Sequence, residues 1–411
     1  MVNKKLILLL AILFFATCSP QKTAGVISET SNGATVSGIV MSTGGKPYVK
    51  SEVFLRPIEY CKTGGSGISR SVLTNQTGRY EFDSVDAGTY VLMCLPGSDS
   101  GLARTVIISK FDSTMTVPDS IIRPTVSVAG NVKTTSGNPV RINMMGTDIE
   151  TTSDAAGRYV IKGFPDADYL IGFTDATLTA SAPSFVMPKS AILSQDSITI
   201  DTASSVLMEN FDDSDDFHLL KPFMGCGRWY ILSPNSITVT PSDAQNDLAS
   251  AITSLDAWRD KSLSVTASFP VTSNGDSLFI IGLEIGRGLG SSNVEYRWFD
   301  LSKMQSLRFM AKGSGTVHVA FLTKLIYDNY TGSSNFEKII TLSSQWQEYR
   351  ILPGDLEPPA GSSASNDGKV WGQASMAVAE ITFFSNDNLS ISLDDIRIEG
   401  VSGLDLLKSV K

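Results

Sequence analysis

The chemistry open to this chain rests on aromatic, acidic and histidine side chains in alternating segments. In Glu295-Tyr296-Arg297-Trp298-Phe299-Asp300, Tyr296 and Trp298 share one face of an extended strand and Arg297 takes the other. Two aromatic faces with polar neighbours can stack on a flat, hydroxyl-rich ligand while hydrogen bonds fix its orientation. His318 alternates away from the apolar Val317, Val319 and Phe321, so it is expected outside the core. Tyr327, Asp328 and Tyr330 fall in a polar loop able to rim such a site. The competing reading is burial, since large aromatics are more often inside than out. Trp298, Trp346 and Trp371 can all serve a core, and for Trp346 and Tyr349 the core reading is preferred.

Catalytic signatures are missing from the sequence, and the chain is read as non-catalytic. Its two histidines, His218 and His318, lie in unrelated contexts, and no H-E-x-x-H, G-x-S-x-G or Walker-type loop occurs. Gly286-Arg287-Gly288-Leu289-Gly290 lies between two strand-like runs and reads as a hairpin loop, not a phosphate cradle. A pair of carboxylates at the right separation remains the one catalytic arrangement that motifs do not exclude. The formal net charge of −9 argues against a nucleic-acid backbone as partner, which needs clustered Lys and Arg.

The first residues bear on the compartment. Lys4 and Lys5 precede an apolar run from Leu6 to Phe15, and Ala16-Thr17-Cys18 follows. A basic end, about ten apolar residues and small residues before a cleavage point make a bacterial export signal, too short to span a bilayer. Phe15-Ala16-Thr17-Cys18 resembles a lipobox, which implies a lipid on Cys18 and a membrane-anchored protein of the bacterial cell envelope. Residues 19–34, rich in Ser, Thr, Gly and Asn, read as a tether. Of the other cysteines, Cys61 and Cys94 both fall in one segment and have no counterpart in its repeat. That fits a disulfide in an oxidising compartment, or else two buried thiols. Cys226 is left as a small core residue or a reactive thiol.

The elements that must carry these residues are strands. Residues 36–94 and 128–172 repeat one pattern. Gly38 and Gly130, like Pro47 and Pro139, are 92 apart; Gly78-Arg79-Tyr80 and Tyr90 recur 79 later as Gly157-Arg158-Tyr159 and Tyr169. Repetition on this scale marks repeated modules, and their turn-punctuated strands predict small antiparallel sandwiches at 35–125 and 126–203. A composition shift near Val206 opens a third region, 204–401, with a short tail at 402–411. Expected strands there are Leu263–Phe269, Leu278–Ile285, Val294–Phe299, Ser306–Lys312, Val317–Leu322, Gln347–Leu352, Val378–Phe384 and Leu389–Ile398. About ten strands suit one larger sandwich. The fold class expected is all-β: two small antiparallel β-sandwiches in tandem, then a jelly roll.

Each repeat, with its V-x-G-x-V opening, G-x-P turn, G-R-Y and A-G/D-x-Y strand start, resembles the carboxypeptidase regulatory-like domain. That implies a transthyretin-like sandwich acting as spacer or weak binder. The third region, with E-N-F-D-D, G-R-W-Y, W-Q-E-Y-R-I-L-P and I-S-L-D-D-I-R-I-E-G in order, resembles jelly-roll (galactose-binding-like) carbohydrate-binding modules, closest to family 11. The resemblance implies a polysaccharide of β-glucan type as partner, bound by Tyr296, Trp298, His318, Tyr327 and Tyr330. It also implies a structural Ca2+ between the first and last strands, held by Glu209 or Asp212 with Asp394 or Asp395; the bland alternative is solvated turn charges. The rival function is a structural or adhesive envelope lipoprotein whose jelly roll contacts other envelope proteins.

Overall fold

The computed structural model describes residues 33–410 except 64–66, 109–113, 119, 135–137, 176–183, 188–196, 201–204, 225–226, 271–276, 286–296, 331–333 and 408. Strands make the architecture, the helices are short, and the chain is all-β. No helix among the described residues is long and apolar enough to cross a membrane.

In the first repeat, Ala34–Met41 pairs antiparallel with Arg79–Val85 and parallel with Thr114–Thr116. The facing sheet runs Arg70–Leu73, Glu52–Pro57, Gly88–Cys94, Ser100–Ile108. Alternation turns Val36, Val40, Tyr80 and Phe82 inward against Val53, Leu55, Leu92 and Val106. The second repeat builds the same layers from Arg123–Thr134 and Arg158–Pro165 against Val140–Met144 and Tyr169–Asp175.

The shared motif residues are structural in both copies. Gly38 stands directly across from Tyr80, and Gly130 from Tyr159. A Cβ on Gly38 would lie 2.4 Å from the Tyr80 hydroxyl, and one on Gly130 would lie 2.6 Å from that of Tyr159. Each glycine thus clears the space its tyrosine ring fills. Tyr90 donates its hydroxyl to the Asp86 carbonyl (3.1 Å) and Tyr169 to that of Pro165 (2.8 Å), pinning equivalent corners.

The sheets do not stop at the expected module boundaries. Ser100 and Gly101 pair with Pro124 and Arg123, joining the two repeats in one sheet. Ser184 pairs with Val206, joining the second repeat to the C-terminal sandwich. Arg56 of the first repeat, almost fully buried, forms an ion pair with Asp148 of the second. Ile58, Val91, Met145 and Leu170 from the repeats share one hydrophobic cluster with Phe223 and Met224 of the third region. Gly33–Lys411 is accordingly one compact unit.

Cys61 and Cys94 are free thiols rather than the expected disulfide. The register explains it: Val53 faces Cys94 at one end of the strand pair, while Pro57 faces Tyr90 at the other, and Cys61 lies beyond Pro57. About 13 Å of strand separates those two levels, whereas bridged cysteines need Cα atoms within roughly 7 Å. Burial pushes the Cys94 thiol up to about 11 and raises that of Cys61 as well.

The C-terminal sandwich has one sheet of Gln347–Ile351, Ser306–Ser314, Leu389–Glu399 and Ser262–Ser268, with Ser205–Glu209 beside the last turn of Leu389–Glu399. The other runs Arg228–Leu232, Phe279–Glu284, Val378–Ser385, Thr316–Thr323, Phe336–Thr341. Trp229, Phe309, Phe321, Phe336 and Phe383 fill the space between them. Seven of the eight strands expected here match within two residues at each end. Of the eighth, Val294–Phe299, the described part is Trp298–Phe299. Arg228–Leu232 and Phe336–Thr341 were not expected.

Candidate functional site

Five strands present one outward face, and its side chains follow from alternation against the core. On Arg228–Leu232, Trp229 and Ile231 point inward, which turns Arg228, Tyr230 and Leu232 out. Ile281 and Leu283 inward leave Ile280, Gly282 and Glu284 outward; Ile381 and Phe383 leave Glu380, Thr382 and Phe384. Val317, Val319 and Phe321 in the core leave His318, Ala320 and Leu322, and register with these brings Glu337 and Ile339 to the same face.

Antiparallel register lines these residues up in three rows across the strands. The first is charged: Arg228, Glu284, Glu380, Leu322. The second is small at its centre: Tyr230, Gly282, Thr382, Ala320, Glu337. The third is apolar and aromatic: Leu232, Ile280, Phe384, His318, Ile339. The His318 and Phe384 rings stack with centroids 4.7 Å apart and 24° between planes. Leu232 and Ile339, at the two ends of that row, are both more than half exposed.

Polar contacts hold the first two rows in place. Arg228 Nε lies 3.4 Å from Glu284 Oε2, and Glu284 is nearly buried. The Tyr230 hydroxyl donates to Glu380. His318 Nδ1 comes within 3.2 Å of Glu337 Oε1 but makes no hydrogen bond. Gly282 is required beneath Tyr230, because a Cβ there would fall 2.3 Å from the phenol ring. A cavity of about 340 Å³ opens beside the edge strand Arg228–Leu232, lined by Arg228, Tyr230, Glu284, Asp216, Gln245 and Asn246. Apolar ring faces beside fixed carboxylates, a phenol and a guanidinium suit a ligand with apolar C–H faces and hydroxyl edges.

The residues singled out from sequence are not brought together. His318 lies on the face just described. Trp298 is only 7% exposed, with its ring centroid 5.7 Å from that of Tyr327 and 5.6 Å from the Lys324 ammonium; it is a buried residue, not a binding surface. Its strand partner is Val410, and its neighbour Phe299 pairs with the buried Val378. Tyr327 is 54% exposed at the sandwich end, and Tyr330 donates its hydroxyl to Asp367 (2.7 Å). Tyr296, Cys18 and Cys226 lie outside the described residues. Trp346, expected in the core, reaches the surface beside Trp258. The missed residues carry a legible signal: in Gly227-Arg228-Trp229-Tyr230 and Ile381-Thr382-Phe383-Phe384, burying the central aromatic turns Tyr230 and Phe384 outward.

The acidic residues proposed for calcium are each engaged by the protein. Glu209, fully buried, accepts the Asn210 and Phe211 backbone N–H groups (2.9 and 2.7 Å) and the Trp229 indole N–H (3.2 Å). Asp212 accepts from Asn210 and from the Lys261 backbone, and the Lys261 ammonium donates to the Asp212 carbonyl and Ser214. Asp395 pairs with Arg397, while Asp394 is the buried member of the pair, held by Ser262 (2.9 Å) and the Asp395 N–H (2.6 Å). The oxygen donors suit a hard cation, yet among the described residues no three acidic, His or Cys side chains converge on one point. As arranged, the set does not make a calcium site.

No protein-family profile matches the chain. No curated protein matches its sequence. Solved structures do resemble part of it. A family 11 carbohydrate-binding module of the cellulase Lic26A-Cel5E of Clostridium thermocellum is 14% identical over 47% of this chain and 94% of that one, with a TM-score of 0.31. A family 30 carbohydrate-binding module gives 18%, 36%, 72% and 0.27. The shaft pilin SpaA of Lactobacillus rhamnosus GG gives 12%, 41%, 97% and 0.18. At these identities and scores, what those proteins do is not carried over to this chain.

Proposed function

We propose that the chain is a non-catalytic, exported envelope protein that binds polysaccharide on the outward face of the Arg228–Leu232 sheet. The observation that carries this reading is the three-row register. An aromatic and aliphatic row lies parallel to a carboxylate and guanidinium row, with small residues between them. A glycan laid across the strands would place the C–H faces of its pyranose rings on Phe384, His318 and Ile339. Its hydroxyls would then meet Arg228 and Tyr230, the partly exposed members of the polar rows, which the buried Glu284 and Glu380 hold in position. A β-glucan-type chain, extended and flat, fits a face of this shape better than a compact sugar. The protein would reach the envelope through the export signal and be anchored by a lipid on Cys18, with the repeats as a stiff spacer.

The test is affinity electrophoresis of the chain lacking residues 1–18 in gels containing mixed-linkage β-glucan, xyloglucan, xylan or mannan. Selective retardation by one glycan, lost in a folded Tyr230→Ala variant, supports the proposal; no retardation in any gel overturns it. Anchoring is tested separately by labelling with radioactive palmitate, which should be lost in Cys18→Ala. A structural or adhesive role is favoured by one observation of its own, the sheets that run unbroken between modules. It would be adopted if every gel were negative while the anchored protein still bound other envelope proteins.

A further inference from the structure

On the other sheet of the C-terminal sandwich two tryptophans form a second surface. Trp258, in the turn before Ser262–Ser268, is 41% exposed; Trp346, at the start of Gln347–Ile351, is half-buried. Their ring centroids lie 6.2 Å apart at 52°. The other three tryptophans, Trp229, Trp298 and Trp371, are at most 7% exposed. Leu255 in the same turn is 83% exposed. A single exposed apolar residue means little, but a contiguous group of this kind marks a contact surface.

The pair is built, not incidental. The Trp346 indole N–H donates to the Asp256 carbonyl (3.0 Å), which also accepts the Lys312 ammonium (2.8 Å). Lys312 in addition pairs with the Asp256 carboxylate and lies 5.1 Å from the Trp346 ring centroid. The Trp258 backbone N–H donates to Ser262 Oγ (3.0 Å), itself bonded to buried Asp394. Asp256 has φ +56°, a conformation that costs free energy in a non-glycine residue and is held here by those contacts. Rings fixed in advance lose little entropy on binding.

We infer that Trp258 and Trp346 form a second saccharide-stacking site, independent of the sheet face, that takes a pyranose ring of a polysaccharide chain. Two tilted indoles offer π-faces to the ring's C–H groups. The Asp256 carboxylate, 79% exposed, supplies an acceptor for its hydroxyls at the edge, held in place by the mostly buried Lys312. The charged rim and its paired hydrogen-bonding groups favour a hydroxyl-rich ligand over the dry, apolar core of a protein interface.

The test uses the chain lacking residues 1–18, the same four glycans, and variants Trp258→Ala, Trp346→Ala and Tyr230→Ala checked for folding by thermal melts. Retention by one glycan should weaken about two- to tenfold in each tryptophan variant. That glycan should also shield tryptophan fluorescence from acrylamide quenching, and the shielding should vanish in Trp258→Ala. Loss of retention in Tyr230→Ala with the tryptophan variants unchanged would overturn this site and leave the sheet face standing; the reverse would sustain this site and sink the sheet face. Unshielded fluorescence overturns it, with or without retention. So does a concentration-dependent dimer that Trp258→Ala converts to monomer without any change in glycan retention.

Discussion

The repeats and the C-terminal sandwich use their recurring residues for opposite ends. In the repeats, everything that recurs serves the fold: Gly38 and Gly130 clear room for Tyr80 and Tyr159, and Tyr90 and Tyr169 pin the same corner. In the C-terminal sandwich no motif recurs, and the residues that face outward are set by register alone. Loud sequence patterns mark where backbone geometry admits few residues. A binding face needs only alternation, which many residue types satisfy.

The largest effect should come from the helix Lys221–Met224, where Phe223 is fully buried in the cluster shared with Ile58, Val91, Met145 and Leu170. Phe223→Ala should cost about 3–5 kcal/mol, measured by denaturant melts, and calorimetry of the parent chain should show one transition. Separate endotherms for the repeats and the sandwich would break the picture of a single body. Next in size, Gly130→Val overpacks the second repeat against Tyr159 and should cost about 1–3 kcal/mol, leaving glycan retention unchanged at temperatures where it stays folded. Retention that fell with it would mean the repeats take part in binding. A smaller effect is expected from His318→Ala on the sheet face: retention weaker by about two- to tenfold from the lost ring, with little change in melting temperature.

Much of the fold was legible. The repeat fixed where the first two sandwiches lie, and alternation located most strands of the third. Register across strands was not legible, because pairing is a long-range property that one sequence does not print. Trp298 therefore reads as a ligand platform in the sequence: Tyr296 alternates with it, but nothing local says that Phe299 pairs with Val378 at the core edge. Trp346 failed in the other direction. Its strand reads as core, yet it precedes the strand's first paired residue, Gln347, where the chain is still emerging from the surface. The disulfide failed for the same reason, since two cysteines in one module say nothing of which end of a strand each occupies.

The smallest effects concern the acidic residues near the sandwich's first and last strands, and they separate two electrostatic readings of that region. Burial raises Asp394 to about 7, and burial together with Asp213 raises Glu209 well above the carboxylate range. A carboxyl with a folded pKa above its unfolded value binds more protons when folded. Its contribution therefore favours the folded state on the acid side and is lost as pH rises from about 4 to about 7. Glu399 shifts the other way: burial opposes it, but Ser306 and Arg308 hold it below its usual value, so its contribution is lost only as pH falls further. Thermal melts should thus show stability declining from about pH 5 to pH 7, and Asp394→Asn, which keeps an acceptor for Ser262, should flatten that decline. The same melts with calcium and with chelator should coincide, because Glu209, Asp212 and Asp395 are already engaged and the Lys261 ammonium lies against Asp212 and Ser214. A cation held there would favour the ionised carboxyls and reverse the slope. Calcium that raised the melting temperature and removed the decline would show that the segment rearranges around the ion, and the carboxyls raised here would then be the ones that bind it.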